Sequence, residues 1–88
     1  MARKILGAGL SQSIDANQDV HLKGIIVTAA GAAVTVDIKG NGSSELKINA
    51  AAGDSETYYS MGGTTGVHLQ APVTADVVGA GAFVRLDY

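Results

Sequence analysis

Alternation with a period of two residues is the feature that most constrains the fold of this 88-residue chain. In the segment Val34–Gly40 the aliphatic positions are Val34, Val36 and Ile38, and the polar positions between them are Thr35, Asp37 and Lys39. Successive side chains of an extended strand point to opposite faces, so this pattern predicts a strand with one buried face. Such a strand needs neighbours, because its backbone groups must find hydrogen-bond partners.

Glycine-containing segments separate the strand-like segments. Residues 29–33, small and centred on a glycine, predict a hairpin turn between Gly24–Thr28 and Val34–Gly40. Residues 40–44 give a stronger turn signal, since Asn41 and Gly42 both tolerate a positive φ. Further turns are predicted at residues 51–54, 62–66 and 79–81.

Turns recur about every eight to ten residues, which is typical of all-β sandwiches and jelly rolls. The prediction is a compact antiparallel β-sandwich or jelly roll of about seven to eight short strands. No segment shows the periodicity of an amphipathic helix. The length fits one domain spanning residues 1–88, with residues 1–12 predicted as an extended N-terminal arm that becomes ordered against a neighbour.

Composition favours self-association. Hydrophobic residues make up 47% of the chain, only 16% of residues are charged, and there is no cysteine. Small domains usually supplement a limited core with disulfides, a metal or oligomerisation, and the missing cysteines exclude the first. A homo-oligomer is therefore predicted.

The charge balance and the apolar runs exclude other classes. The formal net charge is −2, whereas nucleic-acid-binding domains carry a basic face. No run approaches the roughly 20 apolar residues of a transmembrane helix, and residues 5–10 are too short for a signal peptide. We expect no nucleic-acid partner, no membrane partner, and synthesis in the cytoplasm.

No combination of residues indicates catalysis or a cofactor. Residues 15–19 have the D-x-N-x-D spacing that opens a calcium loop, but Val20 replaces the required glycine and no terminal acid follows. His21 and His68 have no second ligand at short spacing, and no serine has a G-x-S-x-G setting. We predict no catalytic residue, no cofactor and no metal ligand.

The large aromatic and flexible side chains are few, and we predict that they lie in subunit interfaces as well as in the core. Neighbouring strand residues face opposite ways, so Tyr58 and Tyr59 cannot both be buried if only one face is covered. The predicted interface residues are Tyr58, Tyr59, Met61, Phe83 and Tyr88.

Three segments carry a family resemblance: "VHLKGIIVTAAGAAVTVDIKG" (20–40), "ELKINAAAGDSE" (45–56) and "APVTADVVGAGAFVRLDY" (71–88). In their Gly, Ala, Val and Thr content and lack of cysteine they resemble small virion structural proteins of tailed bacteriophages. That family folds as β-sandwiches or jelly rolls and contains capsid decoration (cement) proteins. The resemblance implies a non-enzymatic protein of the capsid surface, trimeric or otherwise oligomeric, whose partner is the major capsid protein or another virion protein.

An alternative function is a glycan- or receptor-binding module of a phage tail or fibre. Tyrosines on strands can stack on sugars, and Tyr58, Tyr59 and the loop 62–66 would then form the site. Binding to a glycan array would favour this alternative, and co-sedimentation of the isolated protein with empty capsids would favour the decoration protein.

Overall fold

The computed structural model describes residues 2–58 and 66–88, and in these ranges the chain forms ten strands and no helix. The strands are β1 (Arg3–Leu6), β2 (Gly9–Asp15), β3 (Val20–Leu22), β4 (Gly24–Thr28), β5 (Val34–Gly40), β6 (Ser43–Ala50), β7 (Ser55–Tyr58), β8 (Val67–Leu69), β9 (Val73–Val78) and β10 (Phe83–Asp87). The prediction of an all-β fold is confirmed. No part of the described chain forms a helix long and apolar enough to cross a membrane.

The strands form three antiparallel sheets. Sheet A has the order β1-β10-β4-β7, sheet B has the order β2-β9-β5-β6, and sheet C pairs β3 with β8. One continuous cluster of buried side chains is shared by all three sheets, and β4 of sheet A contacts β5 and β6 of sheet B. The arrangement is sandwich-like, with two four-stranded sheets and a smaller third one.

The alternation in β5 has the predicted burial. Val34, Val36 and Ile38 are each at most 1% exposed, while the intervening residues are half-buried. β5 and β6 are joined by a tight turn in which Asn41 has φ 50° and Gly42 has φ 80°. Two consecutive positive φ values match the right-handed twist of a hairpin, as the Asn-Gly pair predicts.

The number of strands exceeds the predicted seven to eight, partly because the apolar segment 20–28 contains two strands. β3 belongs to sheet C and β4 to sheet A, with Lys23 between them. The Lys23 N–H donates to the Asp87 carbonyl oxygen at 2.8 Å, so the backbone at this change of sheet is satisfied by β10.

The segment expected to be an extended arm lies within the sheets of its own chain. β1 pairs with β10, where Arg3 is opposite Asp87, and β2 pairs with β9. The Tyr88 N–H also donates to the Ala2 carbonyl oxygen at 2.9 Å. Pairing of the two chain ends is a long-range contact, and the local glycine-rich sequence does not reveal it.

The hairpin predicted at residues 29–33 is wrong, because β4 and β5 belong to different sheets. The segment connects sheet A to sheet B and lies beside another inter-sheet connection, residues 51–54. The Ala29 N–H donates to the Asp54 carbonyl oxygen at 2.9 Å, and the Gly53 N–H donates to the Ala30 carbonyl oxygen at 2.8 Å. Small residues and glycine favour a change of direction, but they do not specify whether the chain stays in one sheet.

Candidate functional site

The outer face of sheet B is mainly polar, and its polar groups are bonded to one another. Thr35 donates its hydroxyl to the Asn49 side-chain oxygen at 3.1 Å, and Lys39 pairs with Asp76 at 3.0 Å. The other Asp76 carboxylate oxygen accepts the Ser11 N–H at 2.7 Å. Exposed apolar side chains on β2 and β9 are Leu10 and Val78. A face of this composition is compatible with contact to water.

The outer face of sheet A is more apolar. The pairing of the strands places Ile5, Arg85, Ile26 and Thr57 in one row across the sheet, and Phe83, Thr28 and Ser55 in the next row. Ile5 is 56% exposed and Phe83 is 45% exposed, while Ile26 is half-buried. We name Ile5, Ile26, Thr28 and Phe83 the sheet A patch.

The patch is continuous across the three strands β1, β10 and β4. Phe83 is directly opposite Thr28. Ile5 is directly opposite Arg85, which is two positions from Phe83 on β10, so Ile5 and Phe83 are diagonal neighbours. Diagonal neighbours on one face of a sheet are about 7–8 Å apart, which large side chains span. Arg85 lies between Ile5 and Ile26, where its aliphatic stem can cover apolar surface.

An ion-pair network borders the patch. The Asp87 carboxylate accepts from Arg85 Nη2 at 3.0 Å and from Arg3 Nε at 3.3 Å, and Asp87 is only 7% exposed. The hydrogen bond from Arg85, and then that from Arg3, lowers the pKa of Asp87 below its usual value, against the opposing effect of burial. The network holds both arginines over the sheet and keeps the carboxylate charged.

The predicted interface residues do not form one surface in the described chain. Phe83 lies in the sheet A patch. Tyr58 is 43% exposed at the end of the edge strand β7, opposite Ile25, and so lies on the face of sheet A that bears the core. Tyr88 is half-buried and packs against the core. Tyr59 and Met61 lie outside the described residues.

Ile5, Ile26 and Thr28 were not among the predicted interface residues. Ile5 was assigned to the N-terminal arm, and Gly24–Thr28 was predicted only as one side of a hairpin. The available signal was the alternation in β1, where Leu6 is buried and Ile5 is exposed. That segment is only four residues long, too short for a reliable period.

A second cluster joins the two histidines, which the sequence analysis treated as isolated. β3 and β8 pair so that His21 is directly opposite His68, and their rings stack with centroids 4.9 Å apart and an angle of 11° between planes. Val20–Leu22 and Val67–Leu69 have the same sequence, Val-His-Leu, and this repetition is the signal that could have suggested the pair.

Asp19 completes this cluster. His68 Nε2 donates to Asp19 Oδ2 at 2.8 Å, and Asp19 Oδ1 accepts the Ala71 N–H at 2.9 Å. The hydrogen bond from Ala71, followed by that from His68, lowers the pKa of Asp19 below its usual value. An ionised carboxylate therefore holds one edge of the imidazole pair, and the side chains of Asp19 and His68 are about half exposed (47% and 52%).

The calcium-like segment forms a turn. Asp15 Oδ1 accepts the N–H groups of Asn17 and Gln18, each at 3.0 Å, which is the geometry of an Asx turn. These two hydrogen bonds lower the pKa of Asp15. Within residues 2–58 and 66–88 no group of three or more His, Cys, Asp or Glu side chains is placed to hold a metal ion.

Comparison with known protein families, with curated proteins and with solved structures finds no match for this chain.

Proposed function

We propose that this chain is a non-enzymatic structural protein that acts by association: it assembles with copies of itself through the sheet A patch, and the oligomer binds a repeated protein surface. The observation that carries this proposal is the unequal character of the two outer faces. Each outer face exposes two large apolar side chains, Ile5 and Phe83 on sheet A and Leu10 and Val78 on sheet B. Sheet A adds the half-buried Ile26 on the neighbouring strand, whereas sheet B is otherwise polar and bonds several of its polar groups to one another.

The repeated surface proposed is a bacteriophage capsid, with the chain as a decoration protein that cements neighbouring subunits. This setting comes from the resemblance of the sequence to small virion structural proteins. The compact, cysteine-free domain and its sandwich-like sheets are compatible with that role. Self-association would produce the oligomer, which in such proteins is commonly a trimer.

The energetics of the patch suit an interface with a few dominant side chains. Burying a fully exposed Ile or Phe side chain is worth about 1.5–3 kcal/mol, and Ile5 and Phe83 would each contribute about half of this because they are already roughly half-buried. Aromatic residues near the centre of an interface are often the ones whose truncation costs most. Arg3 and Asp87 would lie at the polar rim, and Arg85, which pairs with Asp87, would lie within the patch between Ile5 and Ile26.

Co-sedimentation tests the proposal. The purified protein is mixed with empty shells assembled from the major capsid protein of the proposed phage, and the fraction in the pellet is measured. We expect binding by the unsubstituted protein and at least about tenfold weaker binding by Phe83→Ser. Val78→Ser is the matched control, because Val78 is 57% exposed but lies on sheet B.

Equal loss of binding in Phe83→Ser and Val78→Ser would reject the sheet A patch. Absence of binding to the shells, together with selective retention on a glycan array, would reject the decoration function in favour of the glycan-binding alternative.

A further inference from the structure

The chain contains two histidines and no cysteine, and both histidines are in the cluster with Asp19. Histidine is the side chain that ordinarily changes charge between about pH 5 and 8. In mild acid the side-chain charge of this protein therefore changes mainly at one place, the exposed face of sheet C that bears both histidines. This concentration is independent of the sheet A patch and of the proposed assembly.

We propose that Asp19, His68 and His21 form a pH-operated latch on sheet C: the β3–β8 pair stays closed while the imidazole pair carries at most one proton, and it loosens when both imidazoles are protonated. The latch acts on the shortest strands of the fold, which are three residues each.

The first proton suits the closed arrangement. His68 already donates to the ionised Asp19 carboxylate at 2.8 Å, so a positive charge on His68 is neutralised by a direct ion pair. His21 has no such bond among the described residues, and its ring lies flat against that of His68.

The second proton opposes the closed arrangement. It places two positive rings with centroids 4.9 Å apart on directly opposite strand positions, where like charges are destabilising. Interacting sites of this kind release their protons in two separate steps. The repulsion between the two charged rings is reduced in high salt because the cluster is half exposed.

Asp19 is the charged group that faces the imidazoles, and both histidines act electrostatically on it. Asp15, in the same loop, is engaged by Asn17 and Gln18, and Lys23 follows β3. On the neighbouring hairpin, Gly40 packs against the backbone of Gln70, and the exposed Glu45 lies beside Gly40. None of these other charged groups bonds to an imidazole in the part of the chain that the structure describes.

Opening of the latch would affect the hydrophobic core, because buried side chains lie next to both histidines. Val20, Leu22 and Leu69 flank the histidines and are each at most 2% exposed. A β-carbon on Gly66 would lie 2.9 Å from the Leu22 carbonyl oxygen, so the chain entering β8 is tightly packed against β3. Separation of these two strands would therefore expose apolar side chains.

Amide hydrogen exchange and NMR titration test the latch, both with chelator present to remove metal ions. Exchange of the β3 and β8 amides, corrected for intrinsic rate, is compared at about pH 7 and pH 5, with the β5 amides as reference. We expect protection of β3 and β8 to fall about tenfold relative to β5, and the two imidazole resonances to titrate in separate steps. His21→Gln, which leaves a single titrating ring, should abolish the fall. Asp19→Asn removes the charge that neutralises the first proton, so that proton should then oppose the closed arrangement as well and the fall should occur at higher pH.

A single shared titration midpoint with unchanged protection at pH 5 would overturn the proposal. So would a fall in protection that persists in His21→Gln. If a variant fails to fold, the titration and exchange of the unsubstituted protein still decide the matter, because coinciding midpoints contradict coupling of the two rings.

Discussion

Substitution of Val36 by aspartate tests the burial of the alternating strand. Val36 is fully buried (0% exposed), and it is paired with Ile48 on one side and Val77 on the other, both at most 5% exposed. The new carboxyl group would therefore lie among aliphatic side chains on the core face of β5.

The loss of folding free energy has one of two causes, because a buried carboxyl group is either ionised or protonated. It must lose its hydration as an ion, or it must take up a proton at neutral pH, which requires its pKa to rise by roughly 3–5 units. At about 1.36 kcal/mol per unit this amounts to roughly 4–7 kcal/mol. Loss of the buried valine adds about 1.5–3 kcal/mol. A small domain has roughly 5 kcal/mol or little more of folding free energy, so Val36→Asp should be unfolded at neutral pH.

Thr35→Asp is the matched control, one residue away on the outer face of sheet B. Thr35 is half-buried and donates to Asn49, so its replacement should cost about 1 kcal/mol, or roughly 4–8 °C in Tm. Far-UV circular dichroism and thermal melting measure both variants. Equal tolerance at the two positions, or a folded Val36→Asp variant with an unchanged Tm, would refute the burial of one face of β5.

Two further predictions concern a connection between sheets and an ion pair. A β-carbon at Gly79, where φ is +140°, would lie 2.5 Å from the Ala33 carbonyl oxygen, so Gly79→Ala should lower the unfolding free energy by about 2–4 kcal/mol in urea denaturation. Gly31→Ala, where nothing lies within 4 Å, should change it by no more than about 0.5–1 kcal/mol, and a reversed order would contradict the described geometry. The lowered pKa of Asp87 implies stability that is fully present above the usual value of 3.8 and is lost as the pH falls through the lowered pKa. Asp87→Asn should therefore be less stable than the unsubstituted protein at pH 7, with a difference that shrinks below about pH 4; a difference independent of pH would exclude the ion pairs as its cause.

The parts of the fold that could be predicted from the sequence depend on local patterns. The alternation from Val34 to Lys39 specifies which face of β5 is buried, and Asn41 with Gly42 specifies a hairpin because both adopt positive φ there. These signals lie within a few residues of the structure that they determine.

The remaining parts depend on contacts between distant segments. Pairing of β1 with β10 brings the two ends of the chain together, and it changes the expected arm into a sheet strand. The same pairing creates the sheet A patch, since Ile5 meets the row of Arg85 and Ile26 only when three distant strands align. His21 and His68 likewise meet because β3 pairs with β8, although β4 to β7 lie between these two strands in the sequence. No local pattern states which strands become neighbours.

Sedimentation velocity at micromolar concentration tests most directly the claim that this chain works by association through the sheet A patch. The account predicts a discrete oligomer for the unsubstituted protein and for Val78→Ser, and dissociation towards the monomer for Phe83→Ser, with circular dichroism showing that all three remain folded. A stable monomer for the unsubstituted protein, or an oligomer that Phe83→Ser leaves intact, would contradict it.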